Sequence, residues 1–452
     1  MAPKVAVVRN WEGTVVTRPR VIVRPKRVED ILTILENAKA FPSPVRAIGA
    51  NYSQTRCGVA DGGTIIDMTA MNNVLEINDH WIRVQPGAAL SDVAAALEAR
   101  GLQLPLNPDL GNITMGAAAV ACTKDSSMPG GYGQLSSYLK EVKLVLPSGK
   151  PMTINESQPD LLKLVRSSYG LAGVAHEVTF KVVPQRAVRL DYESYTLDEF
   201  TRQFPDMCEL PVGLKFYLLP FRNRITVEMR TYDDEPPTSR SGIFSIRNSV
   251  ITNVLPAFGS TVSNVVRLPS VRYFLIEHFN TVMRSTLDRA ACNVTVYPIE
   301  WVRRLPKDAG RTRFTYSTWA FPQANYPELL AEYFGFCRDY YKRQRYRANL
   351  VHLGHRLHKD ASSVLSPSLT GPVITLDPSS TGDEGWEDFV IEFNEFCVQR
   401  GGTPLLNQTR SLTQEQTAQA FGTRLKLFNA LRKRLDPDDR MLNVYFAQLL
   451  GQ

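Results

Sequence analysis

Between residues 112 and 149 the chain reads NITMGAAAVACTKDSSMPGGYGQLSSYLKEVKLVLPSG, a stretch whose first half carries too little side chain to serve an ordinary hydrophobic core. Gly116, Ala117, Ala118, Ala119 and Ala121, followed by Gly130, Gly131 and Gly133, leave main-chain N–H groups open to close approach. Such a run suits a tight crossing of backbones, or a large flat ligand lying against backbone. The flanking residues favour the ligand. Val142, Leu144 and Leu146 alternate as a strand does, Pro147, Ser148 and Gly149 read as a turn, and a second glycine-led loop upstream has its own strand and helix.

At 452 residues, 43% hydrophobic and 21% charged, the chain is long enough for two or three domains with full cores, and its composition excludes a disordered protein. No apolar run approaches the roughly 18 residues of a membrane span. The first twenty residues carry Arg9, Glu12, Arg18 and Arg20 without a signal-type apolar core, so a cytoplasmic protein is expected. Cys57, Cys122, Cys208, Cys292, Cys337 and Cys397 show no paired metal spacing and are expected as free thiols. The net charge of +7 concentrates at 342–347 and 432–434, which read as solvated helix faces. No nucleic-acid partner is therefore expected.

In chain order, strands are expected at 21–23, 45–48, 64–68, 75–77 and 82–84, with helices at 28–40 and 90–99. The strand 45–48 runs into Gly49, Ala50, Asn51, Tyr52 and Ser53, a phosphate cradle if backbone amides converge there. Pro86 and Gly87 form a turn before the second helix. Beyond Pro184 the character changes to longer alternating strands, 213–219, 225–230 and 312–320, with a helix at 326–341, which reads as a mixed domain on an antiparallel sheet. Residues 236–272, rich in Ser, Pro and Asn, read as a mobile insertion or lid. Further helices are expected at 387–399 and 421–434.

Three of the six histidines fall within His352-Leu353-Gly354-His355-Arg356-Leu357-His358. On a strand His352, Gly354, Arg356 and His358 share one face and His355 takes the other, so the imidazoles do not converge and no metal is expected.

Together these segments resemble the vanillyl-alcohol oxidase superfamily, flavoproteins with a p-cresol methylhydroxylase-type FAD domain, and most nearly its aldonolactone and alditol oxidase and decaprenylphosphoryl-ribose oxidase branches. The likeness spans 22–184 and returns in Leu435-Asp436-Pro437 and Met441-Leu442-Asn443 near the C-terminus. It implies an α+β fold: a two-part FAD-binding domain over 1–187, a substrate domain with a large antiparallel sheet flanked by helices over 188–403, and a C-terminal segment, 404–452, returning to the first. By resemblance the cofactor would be held by the 49–53 loop, Pro86, Gly87, Thr114, Met115, Gly116, Ala117, Ala118, Cys122, Thr123, Lys124, Ser126, Gly173, Val174, Val178 and Asn443.

Departures from the family pattern carry expectations of their own. Tyr52 stands where many relatives attach the flavin to a histidine, so FAD is expected to be non-covalent, as in decaprenylphosphoryl-ribose oxidase. Lys124 replaces a second histidine and either stabilises an anionic reduced flavin or faces solvent. Thr123, larger than the glycine that helps admit oxygen in the aldonolactone branch, implies slow reaction with oxygen. Gln408 takes the place of a lysine directed at the flavin, and Gly354 that of a glutamate. Arg356 is the expected substrate contact, unless it pairs with a carboxylate such as Asp360, with His352 on the same face as base and His355 the choice if a bulge intervenes. The implied activity is removal of a hydride from a C–H bond, beside a hydroxyl, of a small-molecule substrate, a small or medium-sized organic compound, by an FAD-dependent oxidase or dehydrogenase. A biosynthetic oxidase or desaturase of a specialised metabolite, and a binding scaffold without catalysis, are the alternatives.

Overall fold

A computed structural model describes residues 6–237, 242–307 and 309–452. Val21–Val23 (β1), Val45–Ile48 (β2) and Thr64–Asp67 (β3) form a parallel sheet in the order β1-β3-β2. Parallel neighbours need a crossover, and Val28–Glu36 (α1) supplies it with Ile31, Ile34 and Leu35 buried. This helix ends short of residue 40 because the Asn37 side chain accepts the Ala40 N–H and two prolines follow. Val74–Ile77 (β4), Trp81–Val84 (β5), Leu139–Val145 (β6), Pro151–Asn155 (β7) and Val174–Lys181 (β8) make an antiparallel sheet ordered β7-β6-β8-β5-β4. Leu90–Glu98 (α2), Met115–Val120 (α3) and Pro159–Val165 (α4) share its apolar core through Leu90, Leu97, Met115, Ala118 and Leu162.

The second half is built on eight antiparallel strands. Ala187–Thr196 (β9), Gly213–Leu219 (β10), Arg224–Asp233 (β11), Val294–Val296 (β12), Trp319–Pro322 (β13), His352–Leu357 (β14), Val373–Leu376 (β15) and Thr403–Pro404 (β16) lie in the order β12-β9-β11-β10-β14-β15-β13-β16. The strand expected over 312–320 is divided: Thr315–Tyr316 pairs with Ser379–Ser380, the Ser317 N–H turns to the Pro378 carbonyl, and β13 begins only at Trp319.

One face of this sheet packs under Leu197–Glu209 (α5), where Phe200 meets Phe216, and on the other Arg247 of Gly242–Ser249 (α6) and Arg284 of Pro269–Ala291 (α8) reach Tyr217, with Leu255–Val265 (α7) packed beside α8. The Ser- and Asn-rich region expected as a lid is thus helical from Gly242 onward, with Phe244, Arg247, Leu255 and Pro256 turned inward, while its residues 238–241 lie outside the described residues. Tyr326–Gln344 (α9) and Trp386–Gln399 (α10) join α5, and Phe200, Phe204, Phe216, Tyr326, Tyr333 and Phe393 fill the core there with interlocking rings.

Gln414–Phe421 (α11), Thr423–Leu435 (α12) and Val444–Leu450 (α13) close the chain. The helix expected over 421–434 is α12, which starts at Thr423 because Gly422, with a φ of 53°, separates it from α11. This segment packs on the first sheet. Val45 N–H donates to the Arg440 carbonyl at 2.8 Å, the buried Arg46 guanidinium to Met441 O at 2.9 Å, and the Asn443 amide to Val59 O at 2.9 Å. Among the described residues no helix is long and apolar enough to cross a membrane.

Candidate active site

A cavity of about 350 Å³ lies between the two halves. Its first wall is backbone. The loop after β2 turns at Asn51, whose φ of 57° is left-handed, and among the described residues the amides of Ala50, Asn51, Tyr52 and Ser53 donate to no protein acceptor. Consecutive amides about a left-handed residue form a concavity for an anion. A Cβ on Gly49 would sit 2.0 Å from Thr114 Oγ1, and one on Gly116 would sit 2.6 Å from Pro86 Cβ. Met115 and Gly116 N–H groups donate to Ala88 and Pro86 carbonyls, each at 2.8 Å, which pins the start of α3 to the Pro86-Gly87 turn. Small residues therefore serve both purposes raised by the sequence: they let backbones cross, and the crossings shape a cradle.

Not all of the expected cofactor residues reach it. The loop 49–53, Pro86, Thr114, Gly116, Ala117, Cys122, Thr123, Lys124 and Gly173 line the cavity. Met115, Ala118, Val174 and Val178 point into the core behind it, and a Cβ on Gly87 would meet Met68 O at 2.1 Å, so that glycine serves the crossing alone. Ser126 is spent on a 2.6 Å bond to Leu214 O, and Asn443 caps α13 while holding the 56–59 turn. Both support the wall without facing it.

The other wall comes from β14, and there the alternation decides everything. β14 pairs with β10 in unbroken register, Lys215 opposite His355 and Tyr217 opposite Leu353. Leu353 and His355 face the cavity. His352, Gly354 and Arg356 do share a face, as expected, but it is the face under α5 and α9. Arg356 donates to Cys208 O at 3.0 Å and to Val212 O, and His352 Nδ1 lies 2.7 Å from the Tyr333 hydroxyl. A Cβ on Gly354 would meet Tyr326 Oη at 2.6 Å, which explains the glycine. The structure thus corrects the expected Arg356 and His352 pairing at the substrate, and His355 reaches the cavity with no bulge at all. Gln408 also lines it, its amide donating to Cys122 O at 2.7 Å.

At His355 the two walls meet. Lys124 Nζ lies 2.6 Å from Asp377 Oδ2 and 3.3 Å from His355 Nδ1, while Asp377 Oδ2 is 3.4 Å from Nδ1 and Asp125 Oδ1 is 3.8 Å from Nε2. Lys124 is therefore buried and paired, not solvent-facing. Burial and then the Lys124 charge hold the His355 pKa below its ordinary value, so the ring is neutral at pH 7. Burial alone would raise the Asp377 carboxyl, but Lys124 and His355 outweigh it and hold it below the usual range. Asp377 escapes a reading of the sequence because its partner lies 253 residues away and nothing local marks it.

From His355 a row of polar side chains runs across the sheet: Lys215 on β10, Glu228 on β11, Tyr192 on β9. Lys215 Nζ lies 2.7 Å from Asp109, Arg230 joins Asp125 at 3.1 Å to Glu228 at 2.8 Å, and Arg247 reaches Glu228 at 3.2 Å. Burial would raise Glu228, yet Arg230 and Arg247 drive its pKa far down. None of these residues is singled out by the sequence.

A backbone-lined anion cradle beside a pocket on a large antiparallel sheet fits an FAD-binding oxidoreductase, and the comparisons agree. An FAD binding domain matches residues 19–155, and the D-arabinono-1,4-lactone oxidase family matches residues 178–449. The chain belongs to that family. It is 22% identical to L-gulono-1,4-lactone dehydrogenase of Mycobacterium tuberculosis over 98% of each chain, and 22% identical to L-gulonolactone oxidase of Bos taurus over 98% of this chain and 97% of the relative. Solved structures with the same fold include a histidine-to-alanine variant of cholesterol oxidase from Brevibacterium sterolicum, with a TM-score of 0.76 at 16% identity over 100% of this chain and 98% of that one.

The residues present fit FAD. Among the described residues the amides of 50–53 are unpaired, which suits its pyrophosphate, and Asn407 Oδ1 is a buried acceptor without a partner on the cavity wall. Tyr52, beside Trp11 at a ring distance of 5.6 Å, has its pKa pushed by burial to about 12. Burial likewise raises the Cys122 thiol to about 11, which leaves it a poor nucleophile.

Proposed function

We propose that the protein oxidises a CH–OH group of a small polyhydroxylated, sugar-derived substrate, with His355 as the base. The reading rests on one observation: the neutral, buried His355 stands where the cofactor wall, through Lys124, touches the substrate sheet. Bound FAD supplies a two-electron hydride acceptor. The C–H bond breaks with its electron pair leaving as hydride, the hydroxyl proton passes to the imidazole, and a C=O bond forms. Lys124 donates only, and it holds Asp377 at 2.6 Å while standing 3.3 Å from His355 Nδ1, so the ammonium and the carboxylate together fix that edge of the ring and leave Nε2 as its other polar atom. Asp125, near Nε2, favours the imidazolium that results. The shared family and the polar sheet row support a sugar-derived substrate. Six unpaired cysteines support a cytoplasmic setting, and no feature calls for nucleic acid.

Anaerobic mixing of FAD-loaded enzyme with a panel of aldonolactones, alditols and aldonates, followed by flavin absorbance, tests this directly. Bleaching by at least one of them is expected. If none bleaches the flavin, the assignment fails.

A further inference from the structure

Beyond His355 the cavity is lined by more positive charge than its hydroxyl chemistry requires. Lys215, Arg247, Arg284 and Arg303 all line it, with Asp109 and Asp125 as carboxylates of the same lining. Asp109 is shared, at 2.7 Å from Lys215 and 3.4 Å from Arg303. Behind the lining, Arg230 lies between Asp125 and Glu228, Arg247 takes the other oxygen of Glu228, and Arg284 pairs with Asp288 at 2.7 Å while stacking 3.2 Å from the Tyr217 ring centroid.

Among the described residues this cluster holds five cations, counting Arg230, against the four carboxylates of Asp109, Asp125, Glu228 and Asp288. Lys124 and Asp377 neutralise each other. Among the described residues one largely buried positive charge is left over, and such a charge without a partner is costly enough that a site carrying one is built for an anion. The cofactor pyrophosphate belongs to the loop amides of 50–53 and is not part of this cluster. Lys215 is the cross-strand neighbour of His355, so the excess charge begins about one strand spacing, roughly 5 Å, from the base.

We infer that the substrate carries a carboxylate, held by Arg303 with Arg247 and Arg284, while its CH–OH group lies at His355. A single negative charge matches the single excess; a phosphate dianion overshoots it. This deepens the proposed function and rests on it for the placement of the reacting carbon. Arg303 is the least entangled member. Among the described residues its guanidinium makes one bond, to an Asp109 already held by Lys215, so its removal leaves the rest of the network paired.

The test uses oxidised, FAD-loaded enzyme titrated with gulonate, gulono-1,4-lactone and the matching alditol, read by perturbation of the flavin spectrum and, anaerobically, by bleaching. Gulonate is expected to bind at least tenfold more tightly than either neutral compound, with affinity falling as salt rises. Arg303→Gln should erase the tenfold preference and Arg303→Lys should keep most of it. Equal or weaker binding of gulonate, no binding by any of the three, or a preference that survives Arg303→Gln overturns the carboxylate site. If gulonate binds with the expected preference but nothing bleaches the flavin, the anion site stands and the CH–OH reading falls. Bleaching by the lactone without gulonate binding leaves the CH–OH reading standing and overturns the anion site.

Discussion

The two walls of the cavity are made of different material. The cofactor wall is main chain: unpaired amides at 50–53, carbonyls and amides clasped between Pro86, Ala88 and the start of α3, and glycines where any Cβ would collide. The substrate wall is side chain, a row of buried ions set by strand register across β14, β10, β11 and β9. A backbone site is sensitive to added carbon and largely indifferent to charge. The ionic site should be the reverse.

The sharpest break would come at His355. His355→Ala is expected to slow flavin reduction by roughly 10²–10⁴, the range for losing a general base, with FAD still bound. Arg356→Ala should instead cost about 1–3 kcal/mol of stability by stranding the Cys208 and Val212 carbonyls, visible as a lower Tm with little change in reduction. If Arg356→Ala slows reduction at unchanged Tm, the faces of β14 have been assigned the wrong way round. The pH dependence has a definite sign. The His355 pKa is depressed below 6.5 by burial and Lys124, so the base is competent at and above pH 6.5 and is lost as pH falls through its lower folded value. Reduction at saturating substrate should therefore decline toward acid with its midpoint below 6.5. A decline beginning at about pH 7.5, a full unit above the ordinary histidine value, points to another base.

On the backbone wall the probe is carbon. Gly116→Ala places a Cβ 2.6 Å from Pro86 Cβ, and overpacking of this kind costs about 1–3 kcal/mol, a rise of roughly 5- to 150-fold in the FAD dissociation constant if it is spent on the cradle. Fluorescence titration of apoprotein reads it. The cofactor itself should come off in acid: Tyr52 occupies the linking position and Cys122 is a reluctant thiol, so precipitation should leave a colourless pellet and a yellow supernatant.

This difference also explains which parts of the site are legible in the sequence. Backbone sites leave local marks, and Gly49, Asn51, Gly116 and Ala117 stand out by being small or left-handed, so the cradle and the fold around it can be read from composition and order. Ionic sites assembled by register leave none. Asp377, Lys215, Asp109 and Arg247 lie on separate elements, and only β14 draws notice, for its histidines. Even there the alternation expected from the sequence is right and the face expected to meet substrate is wrong. The cavity is served by Leu353 and His355, one residue away from Gly354 and Arg356, and in a strand a one-residue shift moves every side chain to the opposite face. What chooses the face is the aromatic core under α5 and α9, in particular Tyr326 against Gly354, and no pattern within 352–358 announces that packing.

The smallest expected effect sits at the seam between the walls. Thr123 lines the cavity next to Lys124, is 5% exposed, and has its carbonyl held by the Leu135 N–H at 2.9 Å, so its backbone is fixed and only its side chain can bear on access to the cofactor. Its hydroxyl and methyl group occupy space that glycine would leave open to a molecule as small as oxygen. Thr123→Gly should accordingly speed reoxidation of photoreduced enzyme in air by a few fold, while flavin reduction by substrate stays within about twofold, since Lys124 remains tied to Asp377 and the base keeps its setting. Rapid reoxidation of the unaltered protein, or no change on substitution, shows that oxygen reaches the cofactor by another route. A loss of substrate reduction in the same variant shows that Thr123 belongs to the ionic wall as well, and the division between the two materials would then have to be drawn beyond Lys124.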